Sequence, residues 1–200
     1  MDGTLIDAQM WHYEALNDAL EIFGLSISMK DHLARFDGLP TRQKLEILSE
    51  ERGLPTSLFG VINEIKQERT LRLVSKYCFP RVEHLLLFQW LKEQDVKLAV
   101  ATNSIRMTAQ RMLETGEIWP YLDAVITNED ISHPKPHPEI YQVAAKALGL
   151  KPRDCIAVED NHFGIESAKS AGCDVVVVGG VEDVRIHLLE PILAQGGPKP

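Results

Sequence analysis

Residues 155–178, with the sequence CIAVEDNHFGIESAKSAGCDVVVV, decide the fold class. Two short β-rich runs, residues 155–158 and 174–178, enclose a helical stretch at 164–171 that ends at Gly172. A strand, a short helix and a second strand are typical of a parallel α/β sheet. Because the apolar runs are continuous rather than alternating, we expect both faces of this sheet to be covered.

The same alternation extends upstream to residue 83. The sequence predicts strands at 97–101 and 124–126, and helices at 83–94, 106–114 and 139–148. Short β-branched runs that alternate with helices predict an α/β protein with a parallel sheet. Its ligands are then expected in the crevice beyond the carboxyl ends of the strands.

Residues 10–82 have a different, helical pattern. The predicted helices span 11–23, 41–52 and 57–76, with Asp7 available as a cap and with Gly24 and Gly53 after the first two helices. Capping residues at the start and glycine at the end are typical helix boundaries. No convincing strand interrupts this stretch, so we expect a separate helical domain.

Composition excludes several classes of partner. The 200 residues carry a net charge of −8, and an acidic surface repels nucleic acid and anionic lipid. No apolar run approaches the roughly 18 residues of a membrane span. The three cysteines, Cys78, Cys155 and Cys173, are far apart and lack CxxC spacing. They predict buried, reduced thiols in a cytoplasmic protein.

Polar residues follow three of the predicted strands. They are Thr102, Asn103 and Ser104 after the first strand, Lys135 after the second, and Glu159 and Asp160 after the third. The carboxyl ends of parallel strands meet at one edge of the sheet, so these side chains are expected to converge. Hydroxyls, a lysine and paired carboxylates suit a phosphate and a divalent cation.

Each of these residues also has a purely structural interpretation. Thr102 and Ser104 could cap the following helix, and the carboxylates of Glu159 and Asp160 could lie near a helix N-terminus. Lys135 is harder to explain in this way, because a proline on each side restricts its backbone and a solvated surface lysine needs no such frame.

The N-terminal residues complete the pattern. Met1–Asp7 reads MDGTLID, and Asp-Gly alone is only a common turn dipeptide. Taken together, this segment, Thr102, Lys135 and the pair Glu159-Asp160 have the order and spacing of four sequence motifs. In this the chain resembles the haloacid dehalogenase superfamily of phosphohydrolases. The resemblance is to the branch with a helical cap that includes β-phosphoglucomutase and small sugar-phosphate phosphatases, and it covers essentially the whole chain.

The resemblance implies a domain organisation. A Rossmann-like parallel sheet core would comprise residues 1–9 and 83–200, and residues 10–82 would form the inserted helical cap. In this family the cap closes over the substrate and selects it. The candidate substrate contacts of the cap are His12, Arg42 and Lys66.

The resemblance also implies roles for the core residues. Asp2 would be the general acid and base, and its main-chain carbonyl would bind Mg²⁺ together with Asp160 and, nearby, Glu159. Thr102, with Asn103 and Ser104 beside it, would bind the transferring phosphoryl group. Lys135 would neutralise the charge of the nucleophile and of the phosphoryl group.

The first motif of the family, Asp-x-Asp-Gly-Thr, is cut short here. Met1 occupies the x position, so the nucleophilic aspartate is expected immediately upstream of Met1, at the end of a first core strand that the chain as given lacks. We expect N-terminal truncation, because losing several buried residues of a central strand would cost on the order of 5–10 kcal/mol. A chain that truly starts at Met1 would be inactive.

The expected function is a magnesium-dependent phosphatase that acts on a small phosphorylated metabolite through an aspartyl-phosphate. One alternative is a phosphomutase of the β-phosphoglucomutase type. Another is a catalytically dead binding module, if the chain truly starts at Met1. A monomer or weak dimer is expected, with no nucleic-acid or membrane partner.

Overall fold

The computed structural model describes residues 1–194 and divides the chain into two compact units. One unit comprises Met1–Asp7 and the chain from Cys78 onward, and the other is Ala8–Tyr77. The sequence places these boundaries a few residues later, after residues 9 and 82. The last six residues of the expected core, 195–200, lie outside the described residues.

The helical unit contains four α-helices. They are α1 (Gln9–Glu21), α2 (Met29–Asp31), α3 (Thr41–Arg52) and α4 (Phe59–Tyr77), with a π-helix at His32–Phe36 and a 3-10 turn at Thr56–Leu58. Helix α1 packs along α4, around a core that includes Leu16, Leu20, Phe36, Leu48 and Ile62. As expected, no strand occurs among the described residues of this unit.

The α/β unit alternates helices and strands in the predicted order. Its elements are α5 (Val82–Glu93), β1 (Ala99–Ala101), α6 (Arg106–Thr115), β2 (Ala124–Ile126), α7 (Glu139–Ala147), β3 (Ile156–Glu159), α8 (His162–Ala171), β4 (Asp174–Val177) and α9 (Ile186–Ala194). All four predicted strands are confirmed, and so is the parallel α/β class.

The strands form two separate parallel pairs. Strand β1 pairs with β2, with Ala99 opposite Ala124, and β3 pairs with β4, with Ile156 opposite Asp174. Within residues 1–194, β1 and β3 are not hydrogen-bonded to each other. Each therefore has a strand neighbour on one edge only, which is unusual for strands inside a parallel core.

An apolar groove of about 390 Å³, here called the inter-sheet groove, lies between the two strand pairs. Residues 97–101 line one wall and residues 155–159 the other. Leu87 and Leu91 of α5 and Ala144 of α7 also line it, and Met1 and Glu159 lie at its carboxyl-terminal end. The groove therefore runs along the strands from their amino ends to their carboxyl ends.

The three cysteines all carry free thiols. Cys78 and Cys173 are buried, whereas Cys155 is only partly buried. Burial, with a smaller contribution from the Asp2 charge, raises the pKa of Cys78 to about 11. Burial likewise raises the pKa of Cys173 to about 11. Such thiols are protonated and unreactive near neutral pH.

Candidate active site

Lys135 occupies the centre of a buried network in the α/β unit. Its Nζ donates to the carbonyl oxygen of Ala101 at 3.0 Å, to the hydroxyl of Tyr141 at 3.2 Å and to Oε1 of Glu159 at 2.5 Å. The side chains of Lys135 and Glu159 are only 7% and 5% exposed. Charge-assisted hydrogen bonds of this kind are strong and hold the lysine in one orientation.

One oxygen of the Glu159 carboxylate, Oε1, binds both Lys135 and Tyr141. It accepts a hydrogen bond from the Tyr141 hydroxyl. Burial alone would raise the pKa of Glu159, but the Lys135 ammonium and the N-terminal ammonium together hold it below the ordinary value. Glu159 therefore stays ionised and faces Lys135, whereas the family resemblance led us to expect it near the metal.

The backbone of Lys135 is positioned by a residue that follows β1. The Lys135 amide donates to Oδ1 of Asn103 at 3.2 Å. Thr102, 3% exposed, continues the strand pairing through its amide, which donates to Ile126 O at 2.9 Å. The Thr102 hydroxyl oxygen accepts from the Ser104 amide at 3.1 Å. The residues after β1 thus form a tight turn beside the lysine.

The N-terminal residues form a second tight turn at the same edge. The carbonyl oxygen of Met1 accepts hydrogen bonds from the amides of Leu5 and Ile6, at 2.8 and 3.1 Å. Within this turn, Oδ2 of Asp2 accepts a hydrogen bond from the Ser104 hydroxyl at 3.0 Å. Asp2 and Ser104, which are 102 positions apart in the sequence, are thereby brought together.

Asp160 lies directly against the N-terminal turn. Its Oδ1 accepts a hydrogen bond from the Thr4 hydroxyl at 2.8 Å. Gly3 has φ +76°, and a Cβ added there would lie 2.0 Å from Oδ2 of Asp160. Position 3 therefore requires glycine for two reasons, the left-handed backbone and the closeness of the carboxylate.

The electrostatics around Asp160 fit a divalent cation. Burial raises the pKa of Asp160, and the charge of Glu159 adds to the effect, although the Thr4 hydrogen bond and the N-terminal ammonium oppose it. A bound cation would offset this excess of buried negative charge. Asp160 itself offers carboxylate oxygens, the ligand type that Mg²⁺ prefers, and its Oδ2 lies close to the Gly3 backbone.

The predicted substrate contacts of the helical unit fall into two groups. Lys66 of α4 is 7% exposed, and its Nζ lies 3.4 Å from Nδ1 of His12 on α1. Arg42 at the start of α3 is 85% exposed in its side chain and pairs with Glu46 at 3.0 Å. The structure therefore brings His12 and Lys66 together and leaves Arg42 on an exposed helix face.

Two residues of these networks, and one further buried lysine, were missed by the sequence reasoning. Thr4 and Tyr141 bind the carboxylates of Asp160 and Glu159, and Lys44 is a buried lysine, 7% exposed, beside His32. Thr4 belongs to the quoted Asp-Gly-Thr segment, so its hydroxyl was a usable signal. Lys44 lies among charged and apolar residues of a helix, where nothing in the sequence distinguishes it.

These features define a class of protein. The α/β unit combines a buried lysine, hydroxyls and a cation-suited carboxylate at the carboxyl ends of parallel strands, which is the usual ligand position of such sheets. The chain belongs to the haloacid dehalogenase-like hydrolase family, whose model matches residues 1–178.

Two curated relatives match most of the chain. It is 31% identical over 192 residues to the phosphorylated carbohydrates phosphatase of Thermotoga maritima, covering 94% of this chain and 87% of the relative. It is 28% identical over 179 residues to the fructose-1-phosphate phosphatase YqaB of Escherichia coli, covering 89% of this chain and 93% of the relative.

A solved structure supports the fold. The β-phosphoglucomutase of Clostridium difficile superposes with a TM-score of 0.83 at 20% identity, covering 97% of this chain and 94% of that one. The haloacid dehalogenase-like, Rossmann-type fold expected from the resemblance is thus confirmed. Among the described residues, no helix is both long enough and apolar enough to span a bilayer.

Proposed function

We propose that this protein is a magnesium-dependent phosphatase that hydrolyses a small phosphorylated metabolite, such as a sugar phosphate, through an aspartyl-phosphate. The observation that carries the proposal is the convergence of Asp2, Ser104, Lys135 and Asp160 at one edge of the α/β unit. The two curated relatives, named as phosphatases of phosphorylated sugars, support the same substrate class.

The metal would be held by Asp160 and the main-chain carbonyl of Asp2. When bound, Mg²⁺ supplies positive charge to the phosphoryl oxygens. Lys135 supplies a second positive charge, and Glu159 with Tyr141 keeps its Nζ in place. Glu159 would therefore position Lys135. It would favour a bound cation only indirectly, through its negative charge next to Asp160.

Asp2 would move the protons of the reaction. Its carboxylate is oriented by the Ser104 hydroxyl at 3.0 Å. A carboxyl group in this position would protonate the leaving oxygen and later take a proton from the attacking water. Thr102 and the amides of its turn would bind the oxygens of the phosphoryl group, since fixed donors aimed at developing charge need no reorganisation.

The nucleophilic aspartate would be carried by a strand that leads into Met1 and lies in the inter-sheet groove. The groove separates β1 from β3, and Met1 and Glu159 line its carboxyl-terminal end. A strand that entered from the amino ends and finished at Met1 would run parallel to both neighbours. It would pair with the edges of β1 and β3 that face the groove and, within residues 1–194, have no hydrogen-bonded strand.

Substrate selection would rest on the helical unit. Lys66 and His12, whose Nζ and Nδ1 lie 3.4 Å apart, are candidate contacts for the phosphate or another polar group of the substrate. Arg42, being exposed and able to bind phosphate in bidentate fashion, is the other candidate contact.

The test uses the protein extended by the residues encoded upstream of Met1. Phosphate release from a panel of sugar phosphates is measured with Mg²⁺ and with EDTA. We expect release that requires Mg²⁺, is lost in Lys135→Met and is retained in Lys169→Met, an exposed lysine of α8. No release from any substrate would contradict the proposal.

A phosphomutase would give a different result in the same assay. It would produce an isomerised sugar phosphate, would require a sugar bisphosphate activator and would release no free phosphate. Either outcome is visible when product sugars and phosphate are quantified together.

A further inference from the structure

A second cluster of metal-ligand side chains lies on the outer side of the segment that carries Lys135. His133, His137 and Glu139 each offer one ligand atom, and these atoms all lie within 4.8 Å of one another. The side chains of His133 and His137 are 65% and 49% exposed, and that of Glu139 is 24% exposed. The cluster is therefore open to solvent, unlike the buried carboxylate of Glu159.

From this cluster we propose that His133, His137 and Glu139 bind a divalent transition metal such as Zn²⁺, separate from the magnesium site. Two imidazoles and one carboxylate form a donor set typical of zinc sites that keep one position for water. Imidazole suits zinc, copper and nickel, whereas magnesium prefers oxygen ligands. The two sites would thus select different ions by ligand chemistry.

The ligand atoms of His133, His137 and Glu139 already lie close to one another. Nδ1 of His133 lies 2.8 Å from Oε2 of Glu139, and Nδ1 of His137 lies 3.8 Å from the same oxygen. The two imidazole rings are 4.6 Å apart between centroids. In a tetrahedral complex with metal–ligand distances of about 2.0–2.1 Å, the donors are roughly 3.4 Å apart. Small side-chain rotations therefore suffice to admit an ion.

The surrounding contacts hold the ligands in place. Oε1 of Glu139 accepts from the Ser132 amide and Oε2 from the His133 amide, both at 2.9 Å. The carbonyl of His137 accepts from the Ser167 hydroxyl at 2.7 Å. Outer contacts of this kind orient the ligands of metal sites. Without metal, the same carboxylate forms an ion pair with His133 whenever the ring is protonated.

The proposed ion would brace the segment from which Lys135 reaches the active site. His133 and His137 flank Lys135 at two positions on either side, while Nζ of Lys135 contacts Ala101 and Glu159 in the buried network. A metal that joins the two histidines would restrict the backbone that carries the lysine. Binding itself does not depend on the proposed phosphatase activity.

Calorimetric titration with Zn²⁺, in excess Mg²⁺, tests the site. Wild-type protein, stripped of metal by chelator, should bind one Zn²⁺ per chain. The double variant His133→Ala/His137→Ala should bind it more than about tenfold more weakly, at least the loss seen when outer contacts of a metal ligand are removed. The control His187→Ala, an exposed histidine of α9 outside the cluster, should bind as wild type.

Cobalt provides an independent readout. Co²⁺ at this site should give the visible absorption of a tetrahedral complex in wild type and in His187→Ala, but not in the double variant. Circular dichroism establishes that the double variant is folded. Absence of Zn²⁺ binding to wild type, or equal binding to the folded double variant, would overturn the proposal.

Discussion

The two compact units surround their buried lysines with opposite kinds of neighbour. In the α/β unit, Lys135 Nζ lies 2.5 Å from Oε1 of Glu159. In the helical unit, Lys66 Nζ lies 3.4 Å from Nδ1 of His12, itself a basic residue. The first arrangement pairs two opposite charges, whereas in the second the lysine ammonium lies within hydrogen-bond distance of an imidazole nitrogen.

His32 is a buried histidine of the helical unit whose pKa is lowered. Burial, followed by the nearby charge of Lys44, lowers the pKa of His32 to about 4, although Asp37 opposes the effect. In the α/β unit, burial also lowers the pKa of His84, but the Val181 carbonyl, 3.0 Å from its Nε2, works against this. Both buried histidines are therefore neutral at pH 7, but only His32 has a lysine among the causes of its lowered pKa.

The largest expected effect comes from breaking the balanced pair. Lys135→Met leaves the buried Glu159 carboxylate without its counter-charge, which we expect to cost about 3–5 kcal/mol of unfolding free energy. Urea unfolding at pH 7 measures this. Lys92→Met, which removes an exposed pair with Asp123 at 3.1 Å, should cost under about 1 kcal/mol. Equal losses in the two variants would contradict a special role for the buried pair.

The second effect is an acid sensitivity of the helical unit. His32 is neutral in the folded protein down to pH about 4, whereas in the unfolded chain it binds a proton below about pH 6.5. The folded state therefore loses stability as the pH falls from about 6.5 to about 4, by roughly 2–3 kcal/mol. Urea unfolding of wild type and His32→Gln across this range should show a smaller pH dependence in the variant, and identical slopes would refute the assignment.

The third effect separates backbone strain from steric conflict. Gly3→Ala places a Cβ where Asp160 Oδ2 lies, at 2.0 Å, whereas Gly24 has a similar φ of +73° and nothing within 4 Å. Both variants should lose about 1–2 kcal/mol from the left-handed backbone. Only Gly3→Ala should also weaken Mg²⁺ binding, measured by calorimetry. Unchanged Mg²⁺ affinity in Gly3→Ala would argue against Asp160 as the ligand.

The smallest effect on stability concerns the exposed arginine. Arg42→Gln removes an i,i+4 ion pair with Glu46 and should cost no more than about 0.5 kcal/mol. If Lys66 and His12 bind the substrate, Lys66→Gln should raise KM for a sugar phosphate more than Arg42→Gln does. The reverse order would assign the substrate anion to Arg42.

The sequence predicted the limits of a helix well where a residue at its end, such as a glycine, stops the helix. Helix α3 (Thr41–Arg52) occupies the predicted residues because Gly53 adopts the left-handed conformation, φ +69°, that ends it. The predicted cap of α1 was wrong. Ala8, rather than Asp7, precedes the helix and makes no side-chain cap hydrogen bond. The short α2 and the π-helix were not predicted, since they lack a periodic apolar pattern long enough to detect.

By itself, the sequence determined the order of helices and strands and the residues that stand at the carboxyl ends of the strands. Periodicity and helix-ending residues act over a few positions, so they can be identified without the fold. Only the tertiary structure decided that Glu159 faces Lys135, 24 positions away, and that Thr4 binds Asp160, 156 positions away. It also decided that the strands form two pairs beside an apolar groove. Which partner a buried carboxylate takes depends on packing between distant segments, and no local pattern encodes that.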